Sequence, residues 1–131
     1  SASELQELIR QLDDGSDTFR MTGGVHSAAL ADNERILIKY EDIGRHNALD
    51  RVLGHTIING IATEDKAVLL SGRISSEMLI KAARIGTPVI VSRSAPTGLA
   101  IDLAEELNIT TVGFVRGNSM NVYSHPERIV R

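Results

Sequence analysis

Residues 41–51 read Glu-Asp-Ile-Gly-Arg-His-Asn-Ala-Leu-Asp-Arg, and the fold turns on how this stretch is read. A strand-like run, Arg35-Ile36-Leu37-Ile38-Lys39-Tyr40, enters it, and a helical spacing of Ala48, Leu49, Val52, Leu53, Thr56 and Ile57 leaves it. Between them stand two acids, a glycine, an arginine, a histidine and an asparagine. A strand-to-helix turn sets its side chains at the carboxyl edge of a sheet, where α/β folds place their ligands. The helix start also aims free backbone N–H groups outward, ready for an anion.

On the amino-terminal side, Asp32-Asn33-Glu34 turns the chain into this strand. The run before it, Met21-Thr22-Gly23-Gly24-Val25-His26-Ser27-Ala28-Ala29-Leu30, leads from a double glycine into small residues, so a hairpin is expected. Residues 3–12 place Leu5, Leu8, Ile9 and Leu12 on one helical stripe, and residues 13–17 read as a loop. On the carboxyl side the pattern alternates: helix 45–59, strand 67–70, helix 75–85, strand 88–91, helix 96–107, strand 110–115. The last three strands are short, apolar and non-alternating, as expected when both faces of a parallel sheet are covered. Right-handed crossovers then give a three-layer α/β/α domain with an initial β-hairpin and a mainly parallel sheet. Ser119–Arg131 reads as an irregular tail, with Pro126 blocking any helix.

Bulk numbers bound the function. The chain has 131 residues, enough for one domain with its own core. Its four aromatics are Phe19, Tyr40, Phe114 and Tyr123, so the core must come from aliphatic side chains. A net charge of −3 argues against a general nucleic-acid footprint. No run approaches the ~20 apolar residues of a membrane span, and no signal-peptide pattern opens the chain, so a cytoplasmic protein with neither nucleic-acid nor membrane partners is expected. Cysteine is absent, which removes disulfides, thiolate catalysis and cysteine-based zinc sites from these residues.

Every strand-to-helix junction is polar or carries glycine. They are Glu41–Asn47, Ser71-Gly72-Arg73-Ile74-Ser75-Ser76-Glu77, Ser92-Arg93-Ser94-Ala95-Pro96-Thr97 and, after the last strand, Arg116-Gly117-Asn118-Ser119. In a parallel sheet these four segments share one edge, so Arg45, Arg73, Arg93 and Arg116 are expected to converge there. Arginine offers a planar fork matched to phosphate, and each helix start adds partial positive charge. Plainer readings stand beside this one. Asp42, Ser75 and Ser94 can serve as N-caps, Pro96 as an early helical residue, and Gly23-Gly24 as a tight turn. His26 reads as a hydrogen-bonded structural histidine or a site residue. His46 sits in a first helical turn, which favours neutral imidazole. His55 is expected on the solvent side of its helix and His125 in the tail, neither with a special role. Zinc deaminases carry His-x-Glu and Pro-Cys-x-x-Cys at the first two junctions. Here those places hold Arg45-His46-Asn47 and Ser75-Ser76-Glu77, so no zinc site of that kind is expected.

Six segments carry a resemblance: Thr22–His26, Glu41–Asp50, Ser71–Arg73, Ser94–Thr97, Gly113–Gly117 and Met120–Tyr123. Together, from about Phe19 to Ile129, they resemble the signatures of the formate dehydrogenase accessory sulfurtransferases (FdhD/NarQ). The resemblance implies a cytidine-deaminase-like fold and a cytoplasmic homodimer. It also implies transfer of sulfur from a cysteine desulfurase to the molybdenum (or tungsten) bis-guanine-dinucleotide cofactor of formate dehydrogenase. Phe114, Val115, Arg116, Gly117, Asn118 and Ser119 would then contact that cofactor. Arg45, Arg73 and Arg116 would hold phosphates. His26, His46 and Asn47 would line the pocket near the metal, and Glu41 and Asp42 would position Arg45 or meet a guanine edge. Ser71, Gly72 and Ser94 complete the expected binding set. The family carries persulfide on a Cys-x-x-Cys loop, which these residues lack. The expectation is therefore a single cofactor-binding domain, a leading helix and loop over 1–18 and a core over 19–131, belonging to a longer protein whose N-terminal part bears the cysteines. Two rivals remain: a nucleotide deaminase, which lacks its ligands here, and a non-catalytic escort for the cofactor.

Overall fold

A computed structural model of the chain describes residues 2–14, 26–32, 34–116 and 119–129. Helix α1 (Ala2–Asp14) precedes strands β1 (His26–Ala31) and β2 (Ile36–Asp42). Then come α2 (Arg45–Asn59), β3 (Ala67–Leu70), α3 (Ser76–Arg84), β4 (Val89–Ser92), α4 (Gly98–Leu107), β5 (Thr110–Arg116) and β6 (Ser119–Ser124), with a 3-10 turn over Pro126–Arg128. The double glycine and the loop beyond Asp14 lie outside the described residues.

The six strands form one sheet in the order β2-β1-β3-β4-β5-β6. Strand β1 is antiparallel to both β2 and β3, β3-β4-β5 are parallel, and β6 returns antiparallel to β5. Consequently β2, β3, β4 and β5 all run the same way. Their ends, Asp42, Leu70, Ser92 and Arg116, lie on one edge, and so does the start of β1, because His26 pairs with Asp42. The expected hairpin is present. Its turn is fixed by the Asp32 carboxylate, whose Oδ1 accepts from the N–H groups of Glu34 and Arg35 at 2.8 and 2.9 Å.

Side chains alternate across the pleat, so each strand feeds two cores. Ala28, Leu30, Val68, Leu70 and Ile90 face α2, α3 and α4, meeting Leu49, Val52, Met78, Leu79 and Ala104. Ala29, Leu69, Val91 and Val112 face the other way and are covered by Leu5, Leu8, Ile9 and Leu12 of α1. All three crossover helices thus share one face, and among the described residues α1 is the helix that supplies the third layer of the α/β/α sandwich. All of β3 is buried, which accounts for its unbroken apolar reading. Among the described residues no helix is long and apolar enough to cross a membrane.

Three local expectations are corrected. The tail is not irregular from Ser119: it forms β6, because Met120 and Val122 alternate inward onto the α1-side core while polar Asn121 and Tyr123 hide the period. Ser94 does not cap a helix. Thr97 does, accepting from the Ala100 N–H at 3.1 Å, and Pro96 precedes the helix in a parallel bridge to Ile74. Nor is Asp42 the N-cap of α2. Gly44 holds that position, and the Asp42 Oδ1 accepts the Gly44 N–H at 3.1 Å. Ser75 does cap α3, accepting from Met78 N–H at 3.3 Å.

Candidate functional site

The shared edge is knitted together by serines. Ser27 N–H donates to Ser71 Oγ at 2.8 Å, and Ser71 N–H donates to the Ser27 carbonyl at 3.1 Å. Ser27 Oγ donates to Glu41 Oε2 at 3.5 Å, linking β2 to the same cluster. Ser92 Oγ donates to the Gly72 carbonyl at 2.6 Å and accepts from Ser94 N–H at 2.9 Å. Ser94 Oγ donates to the Ser71 carbonyl at 3.5 Å, and the Ser94 carbonyl accepts from Phe114 N–H at 3.2 Å. Loops that only touched would move apart easily. These exchange hydrogen bonds across four strand ends, so their backbone groups are held before a ligand arrives.

Gly72 sits at the centre. A Cβ there would come within 3.2 Å of His26 Nδ1 and 3.7 Å of Arg45 Cδ. The imidazole at the start of β1 and the stem of the first junction arginine therefore meet over one bare peptide. Arg45 and His46 are half-buried in the first turn of α2, while Asn47 is exposed. The α2 N-cap makes no side-chain hydrogen bond, which leaves the first-turn amides facing the edge. Asp42 is held below the usual carboxylate range, first by the Gly44 N–H, then by the Arg51 charge and a hydrogen bond with Asn47. Its carboxylate lies 3.5 Å from Arg51. So Arg51, not Arg45, is its basic partner.

The far end of the edge is set by Gly113. An added Cβ would meet Pro96 Cδ at 2.9 Å, the Ser94 carbonyl at 3.0 Å and Tyr123 Cε2 at 3.0 Å, so no side chain fits. The next residue, Phe114, has φ 52°, in the left-handed region, and is 41% exposed. A bulky residue in that conformation costs of order 1–3 kcal/mol and persists where its surroundings enforce it. The β5–β6 register slips between Gly113 and Arg116, which places this exposed aromatic ring at the edge.

The expected residues are distributed as follows. His26, Glu41, Asp42, Arg45, His46, Ser71, Gly72, Ser94 and Phe114 share the edge. Asn47 and Arg73 are on its exposed rim. The Val115 side chain is buried in the α1-side core, so only its backbone can reach a ligand. Arg116 ends β5, Ser119 opens β6, and Gly117 and Asn118 lie outside the described residues. Sequence reasoning missed Ser27 as a builder of the site, and gave no binding role to Ser92, which it placed in a junction, or to Gly113, which it placed in a resembling segment. The signal was slight: a serine near the end of an apolar strand, and a glycine inside one. It also underrated His55. That ring is not simply on the solvent side, since Nδ1 lies 2.9 Å from the Tyr40 hydroxyl. Among the described residues no group of three or more His, Asp or Glu could hold a metal ion.

The fold is a cytidine-deaminase-like α/β/α domain whose carboxyl edge gathers arginine, serine and helix amides. The chain belongs to the FdhD/NarQ family, whose pattern matches residues 1–130. It is 59% identical over 122 residues to the sulfur carrier protein FdhD of Bacillus subtilis (strain 168), an alignment covering 93% of this chain and 47% of that protein. The chain thus spans about half the length of the curated relatives it matches. A crystal structure of a formate dehydrogenase accessory protein from Desulfotalea psychrophila superposes with a TM-score of 0.90 at 40% identity, covering 98% of this chain and 58% of that one. The dCMP deaminase of cyanophage S-TIM5 superposes at 0.62 with 14% identity, over 83% of this chain and 95% of that one, and shares the cytidine-deaminase-like fold alone.

Proposed function

We propose that this chain is the acceptor-binding domain of a sulfur carrier, holding a guanine-dinucleotide molybdenum (or tungsten) cofactor that receives sulfur destined for formate dehydrogenase. The observation that carries this reading is the convergence, on one stitched edge, of Arg45, His26, the uncapped α2 amides and an exposed Phe114. Phosphates suit the arginine and the helix start. A purine ring suits an exposed aromatic face, where stacking contributes about 1–3 kcal/mol per base. Guanine in particular offers N–H donors that the carboxylates of Glu41 and Asp42 can accept.

The names of the relatives support the sulfur-carrier role, and their greater length bears on the chemistry. No cysteine lies within the 131 residues, so the sulfur-bearing thiol of such a carrier would stand in the part of the relatives that this chain does not span. These residues would bind the cofactor's phosphates, orient its guanine and shield its metal end, while a cysteine desulfurase supplies the sulfur. The reading extends to a cytoplasmic homodimer. The alternative, a non-catalytic escort, uses the same edge and differs only in having no thiol to present. Calorimetric titration of GDP, with ATP as control, tests the binding role. Selective GDP binding that falls at least tenfold in Arg45→Ala supports it, and equal affinity for both nucleotides would reject it.

A further inference from the structure

The opposite, amino-terminal edge of the sheet holds a cavity of about 220 Å³. Its apolar wall includes Leu5 of α1, Val89 of β4 and Ile129. Four charged residues also line it: Asp32, Asp65, Lys66 and Arg128, two of each sign. None of them belongs to the candidate site. The two edges are separated by the length of β3, ~10–13 Å at roughly 3.3 Å per residue.

Asp32, Lys66 and Arg128 are held in place, while the Asp65 carboxylate is largely exposed at the mouth and pairs with Lys66. Arg128 is clamped through one nitrogen, Nη1, which donates to the carbonyls of Pro88 at 3.2 Å and Asn108 at 2.6 Å and to Thr110 Oγ1 at 3.2 Å. Asp32 is held by the two backbone amides of its own turn. The Lys66 side chain is only 15% exposed and its Nζ lies 2.5 Å from Asp65 Oδ1. A neutral apolar guest would strip water from Asp32 and Arg128 and return nothing polar. A simple anion would meet two carboxylates, and a simple cation two basic groups, so each is opposed by half of the lining. A guest carrying both charges on neighbouring atoms satisfies both pairs. The volume lies below the roughly 300–1,000 Å³ of drug-sized ligand sites, which favours a guest smaller than a nucleotide.

We propose that this cavity binds a small zwitterion of the α-amino-acid type, its carboxylate toward Lys66 and Arg128, its ammonium toward Asp32 and Asp65, and a short apolar side chain against Leu5 and Val89. The test titrates L-alanine and L-leucine, with the amine and the carboxylic acid analogue of each, into the full chain. Amide shifts of Asp32, Lys66 and Val89 report binding. At least one amino acid should bind tenfold or more tighter than both of its single-charge analogues. If neither does, the proposal falls. Asp32→Asn keeps the oxygen that accepts the turn amides and removes only the charge, and Lys66→Met keeps most of the buried stem. Each should weaken the amino acid at least tenfold with GDP binding unchanged. Undiminished affinity in Asp32→Asn overturns the assignment even if Lys66→Met does not fold.

Discussion

Ser27 and Ser71 exchange two hydrogen bonds across the ligand edge, backbone amide to hydroxyl at 2.8 Å and backbone amide to carbonyl at 3.1 Å. Both residues are buried. Ser71→Ala removes the hydroxyl that accepts the Ser27 N–H, and losing such a bond costs about 0.5–1.5 kcal/mol. Urea denaturation should show that loss, together with weaker GDP binding. A variant as stable as the parent would mean that water replaces the hydroxyl at no cost.

Gly113→Ala drives a methyl group against the Ser94 carbonyl, the Pro96 ring and the Tyr123 ring, all within 3.0 Å. One of these atoms is backbone and cannot swing aside. Overpacking of this kind costs roughly 1–3 kcal/mol. The expected outcome is a lower midpoint in urea with an unchanged slope, and a change under about 0.5 kcal/mol would contradict the tight packing described.

Phe114 should separate stability from binding. Its left-handed backbone is strained for any residue with a Cβ, so Phe114→Gly should leave stability level or raise it by up to about 1 kcal/mol. The same change removes the exposed ring and should weaken GDP at least tenfold. A fall in stability with binding intact would reverse both assignments.

His125 carries the clearest pH signature. Its ring is raised above the usual histidine range, chiefly by its hydrogen bond to the Glu105 carbonyl and then by Glu127, with the Glu105 and Glu127 charges adding. The folded state therefore favours the protonated ring. Its contribution is fully present below about pH 6.5, the ordinary histidine value, and fades as the pH climbs through the raised one. The difference in melting temperature between the parent and His125→Gln should be largest near pH 5.5 and shrink by pH 8.5. A difference that grows with pH would refute the sign.

Much of this fold is legible because its signals are periodic. The stripe of Leu5, Leu8, Ile9 and Leu12 marks α1, and the run Ala67–Leu70 marks a doubly covered strand. The edge is legible from strand order alone: because β2 runs with β3–β5, residues distant in sequence converge at His26, Arg45, Gly72 and Phe114. What escapes is pairwise. Strand β6 depends on an open flank of β5, and Arg51 rather than Arg45 reaches Asp42. Ser92 reads only as the first residue of a polar junction, yet it ties Gly72 to Ser94. Such partners are fixed by tertiary distance, which no local spacing encodes.

The uneven layering bears on how the protein reaches its native state. The two hairpins, β1–β2 and β5–β6, close over short sequence separations and can form early. Helix α1 must instead find Leu69, Val91 and Val112, the last two of which lie more than half a chain away. Until it docks, the aliphatic side chains that it covers, Ala29, Leu69, Val91 and Val112 among them, stand open, a surface of the kind that associates with other chains. The thirteen residues Ala2–Asp14 thus act during folding as the domain's own guard against aggregation, and Leu8→Ala or Leu12→Ala should lower its refolding yield most at high protein concentration.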